Sequence, residues 1–211
     1  MMKFVLTTAL TAILGTVAAA QQDPKPRPLS PRGSAEAQVG MEVTKEGTRT
    51  TVKGGSWLDI SSGRPLKRGR ALWSGETFGK DLYAGAPVWR AGSDVSTRLK
   101  TEVPLEIGGK AIPGKAEYSM FIEFKSATDW TLIISSYGAK TTNKDPTPDT
   151  LWGSYGYTPD KDMVRVPMTV TKLPVKFEQL TWAFTDMTND GGRITLIWDD
   201  IAASVPFKVA K

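Results

Sequence analysis

Past its first thirty-three residues much of the chain alternates hydrophobic and polar side chains every second position, the period of a strand with one face turned inward. In "AEYSMFIEF", Tyr118, Met120, Ile122 and Phe124 share a face, while Ser119, Phe121 and Glu123 fall on the other. "DWTLIISS" places Trp130, Leu132 and Ile134 together, and "DMVRVPMTV" sets Val164, Val166, Met168 and Val170 against Met163, Arg165, Pro167 and Thr169. Pro167 has no amide to give a ladder, so that strand is expected at a sheet edge or at a bulge. "EQLTWAFTDMTNDGGRITLIWDD" reads as a hairpin: Leu180, Trp182 and Phe184 alternate, "TNDGG" supplies left-handed turn residues, and Ile194, Leu196 and Trp198 alternate back. Asp199-Asp200 is expected to end that strand, and "ASVPFKVA" to form a last one. No window shows a helical stripe, and "IGGK", "IPGK" and "NDGG" punctuate the chain with turns. The predicted fold is all-β, an antiparallel β-sandwich that is jelly-roll-like or a partly closed barrel.

The ends of the pattern divide the chain. Lys3 precedes an uncharged apolar run from Phe4 to Ala19, and Ala18-Ala19-Ala20 suits a signal peptidase, so residues 1–20 are expected to be a cleaved signal peptide. The run is shorter than the roughly 20 residues of a spanning helix, and no cysteine follows it to carry a lipid. Residues 21–33, "QQDPKPRPLSPRG", hold four prolines in thirteen residues and read as an extended tether. Residues 34–211 are then a single sandwich domain, periplasmic or secreted, with no stable membrane insertion after cleavage. Its stability must come from its core, because the chain contains no cysteine and hence no disulfide. The formal charge is +5, or +4 once Lys3 is removed, without the clustered basic stripe of a nucleic-acid binder.

The order "SGRPLKRGRALW", "VWRAG", "VPLEIGGKAIPGKAEYSMFIEF", "DWTLIISS", "YTPDKDMVRVPMTV" and a closing hydrophobic strand resembles the domain-of-unknown-function 2911 family of exported bacterial proteins, over about Ser30 to Val209. The resemblance implies a single all-β domain behind a signal peptide. It carries no catalytic residue.

Candidate chemistry is narrow. Without histidine or cysteine the chain builds no Ser-His-Asp or Cys-His triad, and it lacks the imidazole and thiolate ligands favoured by zinc, copper and haem. "TDMTNDGG" lacks the calcium-loop spacing and fits a hairpin turn, and "NKDPTPDTLWGSYGYTPDKD" fits a long solvated loop, so neither cofactor nor metal is expected. The readings that remain are a non-catalytic module at the cell envelope binding a carbohydrate polymer, peptide or anionic small molecule, an envelope interaction scaffold, and a carboxylate-dependent glycan hydrolase or lyase. The candidate ligand residues fall in two stretches. "SSGRPLKRGRALWSGETFGKDLYAGAPVWRAG" offers Arg64, Arg70, Trp73, Trp89 and Arg90. "LWGSYGY" offers Trp152, Tyr155 and Tyr157, flat rings in a glycine-rich run. Pro65 restricts Arg64 to extended backbone. Arg90, between Trp89 and a glycine turn, is expected to be a buried, paired fastener, with a ligand residue as the other reading.

Overall fold

The computed structural model describes residues 29–74 and 78–210, so the expected signal peptide, its expected cleavage site and most of the expected tether lie outside the described residues. Two antiparallel sheets face each other. The larger orders its six strands as β1 (Arg32–Glu46), β2 (Arg49–Gly63), β3 (Thr97–Thr101), β6 (Ala116–Phe124), β7 (Trp130–Ser135) and β10 (Asp162–Pro167). The smaller orders four as β11 (Thr169–Thr188), β12 (Gly191–Val209), β4 (Leu105–Ile107) and β5 (Lys110–Ile112). A parallel two-stranded patch, β8 (Gly138–Ala139) and β9 (Thr150–Leu151), lies in the long loop. This is a sandwich of open sheets and not a closed barrel.

The alternation sets which side chains meet between the sheets. Tyr118, Met120, Ile122 and Phe124 of β6 join Trp130, Leu132 and Ile134 of β7, opposite Trp182, Leu196 and Trp198. The other face of these central strands is covered as well: Phe121 and Ile133 form a second cluster with Val88, Tyr137, Leu151 and Tyr157. The loops on that face therefore belong to the buried structure, and β7 is buried at every position on both of its faces.

Pro167 ends β10, the edge strand of the larger sheet, where its missing amide costs nothing. "DMVRVPMTV" is not one strand, however. Met168 carries the chain across from β10 to β11, so the two halves belong to different sheets. β1 starts at Arg32, inside the stretch expected as tether.

The C-terminal hairpin pairs Trp182 with Leu196 and Phe184 with Ile194, as its alternation predicts. Its left-handed residue is Asp186 (φ 50°), at the register shift between Thr185 and Thr188, and the "NDGG" residues keep negative φ. β12 runs unbroken to Val209, so "ASVPFKVA" continues the hairpin strand and Asp199 lies in mid-strand. Gly40, Gly54 and Gly55 all take positive φ at one level of the β1–β2 hairpin, which kinks it. Asn189 locks that kink from the other hairpin's tip: its Oδ1 accepts from the Met41 amide at 2.6 Å and its Nδ2 donates to the Met41 carbonyl at 2.8 Å.

Candidate functional site

Residues 64–67 leave β2, cross to the smaller sheet and fill a gap in its ladder. Opposite Asp200, β11 inserts Leu173 to Lys176, and opposite Trp198 it inserts Glu178 to Leu180. Strand residues without ladder partners must find others. Lys67 donates its amide to the Glu178 carbonyl at 2.7 Å, and Leu180 donates to the Pro65 carbonyl at 3.0 Å. Arg64 secures the crossing, with Nε to the Leu180 carbonyl at 3.1 Å and Nη2 to Thr181 Oγ1 at 3.2 Å. Its own carbonyl accepts from Gln179 Nε2.

This arrangement delivers Lys67 to Asp199. Lys67 Nζ lies 2.6 Å from Asp199 Oδ2, and both side chains are largely buried. Asp199 has φ 52°, a left-handed conformation disfavoured for a residue with a Cβ, and its buried Oδ1 has no hydrogen-bond partner among the described residues. Strain and an unsatisfied carboxylate oxygen thus coincide at one position in the middle of β12.

Beside this pair an aromatic cluster closes one end of the sandwich. Trp73 packs on Trp130 with centroids 4.8 Å apart and meets Trp198 edge-on at 6.1 Å, while Trp89 stacks on Trp198 at 6.0 Å. Trp73 Nε1 donates to the Trp198 carbonyl, and Trp198 Nε1 donates to that of Glu178. The Arg70 guanidinium sits 5.4 Å from the centroid of the Trp198 ring while bonding the carbonyls of Lys67 and Leu66. Over the cluster opens a cleft of about 580 Å³, with Arg70, Trp73, Lys172, Lys176, Asp199 and Asp200 among its walls. Such a volume accommodates a sugar-sized organic ligand.

The sequence-predicted residues divide accordingly. Arg70 and Trp73 line the cleft. Trp89 is fully buried core, its amide and carbonyl both paired with Ile122. Arg64 is committed to β11. Arg90 is half-buried: its Nη1 donates to the Asp94 carbonyl at 2.8 Å and its guanidinium lies 5.4 Å from the Tyr155 ring, with no carboxylate partner among the described residues. The fastener expected at Arg90 is found more fully at Arg64 and at Lys67. Trp152 is half-buried and Tyr157 buried, which leaves Tyr155 as the exposed ring of its trio, its hydroxyl donating to the Ala84 carbonyl. The glycine-rich run places these rings at different depths because turns, not a strand, follow β9.

Reading by sequence passed over Lys172, Lys176 and Asp199 as site residues. The signal available was Pro174 between the two lysines, which marks a break in the ladder at that level.

A separate polar knot holds the outer face. The Tyr157 hydroxyl donates to Asp162 Oδ2 at 2.6 Å, and Arg165 bridges Asp162 (2.8 Å) and Glu123 (2.6 Å). Burial, followed by the bond to Asp162, pushes the Tyr157 phenol well above its ordinary value, and burial raises Tyr83 and Tyr118 as well. An unfolded chain releases these protons nearer the ordinary tyrosine value of 10.0, so their contribution to stability is complete below that pH and is lost as pH rises above it. Urea midpoints are expected to hold steady to about pH 9.5 and then fall, with a shallower fall in Tyr157→Phe. An equally steep fall in that variant would show that other groups drive the alkaline loss.

The architecture defines an all-β sandwich module whose one end is sealed by aromatic side chains and walled by basic ones. The family model described as "Protein of unknown function (DUF2911)" matches residues 44–207, and the chain belongs to that family. The match spans both sheets and every residue of the cleft named above, and it begins inside β1. No curated protein and no solved structure matches the chain.

Proposed function

We propose that the protein is an exported, non-catalytic binding module of the cell envelope, and that its ligand is an acidic saccharide held in the cleft beside Trp73. One observation carries this reading: a partly exposed indole and the cationic side chains of Arg70, Lys172 and Lys176 wall the same cleft. A sugar ring offers an apolar C–H face to an indole, and a uronate carboxylate suits lysine and arginine. Asp200 adds an acceptor for hydroxyls. Lys176 has no acidic partner among the described residues, and Lys172 is only 3.8 Å from Asp200 on a highly exposed side chain, a weak pairing in water. Export is supported by the apolar run from Phe4 to Ala19, and the mature chain is expected to begin at Gln21, which intact-mass measurement checks.

Trigalacturonate is expected to raise the melting temperature by roughly 5–10 °C at a hundredfold excess over Kd, and neutral cellotriose much less. Lys172→Ala/Lys176→Ala, at two exposed positions, should melt like the parent and lose the shift. Equal shifts from both sugars, or a shift retained in the variant, would remove the cleft from consideration. Release of reducing ends during the same incubation would instead favour the glycan hydrolase or lyase reading.

The scaffold reading has one observation of its own. Val43 and Val52 are cross-strand partners on the β1–β2 arm beyond its glycine kink, and both are more than half exposed. Val43→Lys/Val52→Lys separates the two readings, because it alters the arm and leaves the saccharide response intact.

A further inference from the structure

The larger sheet carries a polar row across its outer face. Ser34 of β1 stands opposite Ser61 of β2, Ser61 opposite Arg98 of β3, Arg98 opposite Ser119 of β6, and Ser119 opposite Ser135 of β7. Ser119 and Ser135 are fully buried, so only the end of the row at Ser34 and Ser61 is open as a trough, and Arg98 is its one long side chain. Arg98 is more than nine-tenths buried. Its Nε donates to Glu117 Oε1 at 3.1 Å, and its Nη1 to Ser119 Oγ at 2.5 Å and the Tyr137 carbonyl at 2.6 Å. Its Nη2 makes no hydrogen bond to any described residue and keeps contact with solvent, so it is free to donate to a ligand.

The trough leads into a cavity of about 370 Å³ walled by Arg32, Ser61, Arg98, Glu117 and Lys140. Three cations therefore meet one carboxylate, and that carboxylate is occupied by Arg98 Nε. Neither Arg32 nor Lys140 forms a close ion pair among the described residues, although Lys140 lies near enough to Asp145 to help hold its carboxyl low.

We propose that this cavity is an oxyanion site, taking the phosphate or carboxylate group of a small ligand. Arg98 Nη2 supplies a fixed charged donor at its floor, Ser61 a hydroxyl, and Arg32 and Lys140 the charges at its rim. The site shares no wall with the Trp73 cleft and does not depend on the saccharide reading.

Calorimetric titration with inorganic phosphate, and in parallel with acetate, tests the proposal. The parent protein binds at least one of them saturably at one site, and the tighter of the two identifies the group the cavity prefers. Arg32→Ala/Lys140→Ala weakens that binding at least tenfold at an unchanged melting temperature, whereas Lys172→Ala/Lys176→Ala leaves it as in the parent. A second measurement needs no variant: phosphate or acetate slows modification of Arg32 by phenylglyoxal, read by peptide mass mapping. Absence of saturable binding by both anions overturns the proposal. So does undiminished binding in Arg32→Ala/Lys140→Ala, or an Arg32 modification rate that neither anion changes.

Discussion

Lys67→Met is expected to destabilise the protein by about 3–5 kcal/mol, because it strands the Asp199 carboxylate in a buried position with no counter-charge. Asp199 already lacks a partner for Oδ1, and Lys67 Nζ at 2.6 Å is what its Oδ2 has. Desolvating a carboxylate costs several kcal/mol per ion, whereas replacing both partners with neutral groups of similar size is often close to neutral. Lys67→Met/Asp199→Asn should therefore recover most of the loss. Urea denaturation of the parent, both single variants and the double variant closes a mutant cycle whose coupling energy measures the pair. Singles and double that simply add would show that Lys67 and Asp199 do not act as a pair in solution.

Trp198→Ala is the second large effect, also about 3–5 kcal/mol, the range for removing a buried tryptophan. The side chain is completely buried, stacks on Trp89, meets Trp73 edge-on and lies beneath the Arg70 guanidinium. The ring also backs the cleft wall, since it meets Trp73 edge-on at 6.1 Å, a contact that alanine removes while the carbonyl bond to the Trp73 indole stays. The loss should therefore extend beyond stability: a Trp198→Ala protein that remains folded is expected to lose its response to trigalacturonate. Trp198→Phe should cost much less, since the ring contacts largely persist while the bond to the Glu178 carbonyl is lost. Denaturation midpoints, with intrinsic fluorescence following the Trp73 environment, check both expectations. A midpoint for Trp198→Ala within about 1 kcal/mol of the parent would mean that the end of the sandwich repacks freely.

How much of the site was legible depends on the range of its contacts. Arg70 and Trp73 stood out because a basic and aromatic stretch without strand period is unusual inside a run of strands. Pro65 pointed only to an extended backbone at Arg64, whose partners proved to be Leu180 and Thr181, more than a hundred residues away. Apart from Pro174 between the two lysines, nothing local to Lys172, Lys176 or Asp199 distinguishes them from surface charges on a strand. They become site residues only because β11 bulges opposite Asp200 and Trp198 and lets residues 65–67 take the vacant ladder positions. Arg90 is the intermediate case: its neighbours in sequence suggested an anchored side chain, and it does reach the Asp94 carbonyl of the adjacent turn, yet it is only half-buried and no carboxylate among the described residues pairs with it.

The alternation of side chains by itself determined the strand class, the inward faces of β6 and β7, the C-terminal hairpin and the edge position of Pro167. Each depends on interactions between residues close in sequence or on the chemistry of one backbone position. Which sheet a strand joined was decided by tertiary structure, as where Met168 divides a single alternating run between two sheets. The same is true of the depth of a ring, which separates buried Trp89 from cleft-lining Trp73, and of the pairing of Lys67 with Asp199. Periodicity is a property of a strand's own pleat, whereas burial and ion pairing depend on what the rest of the chain lays against it.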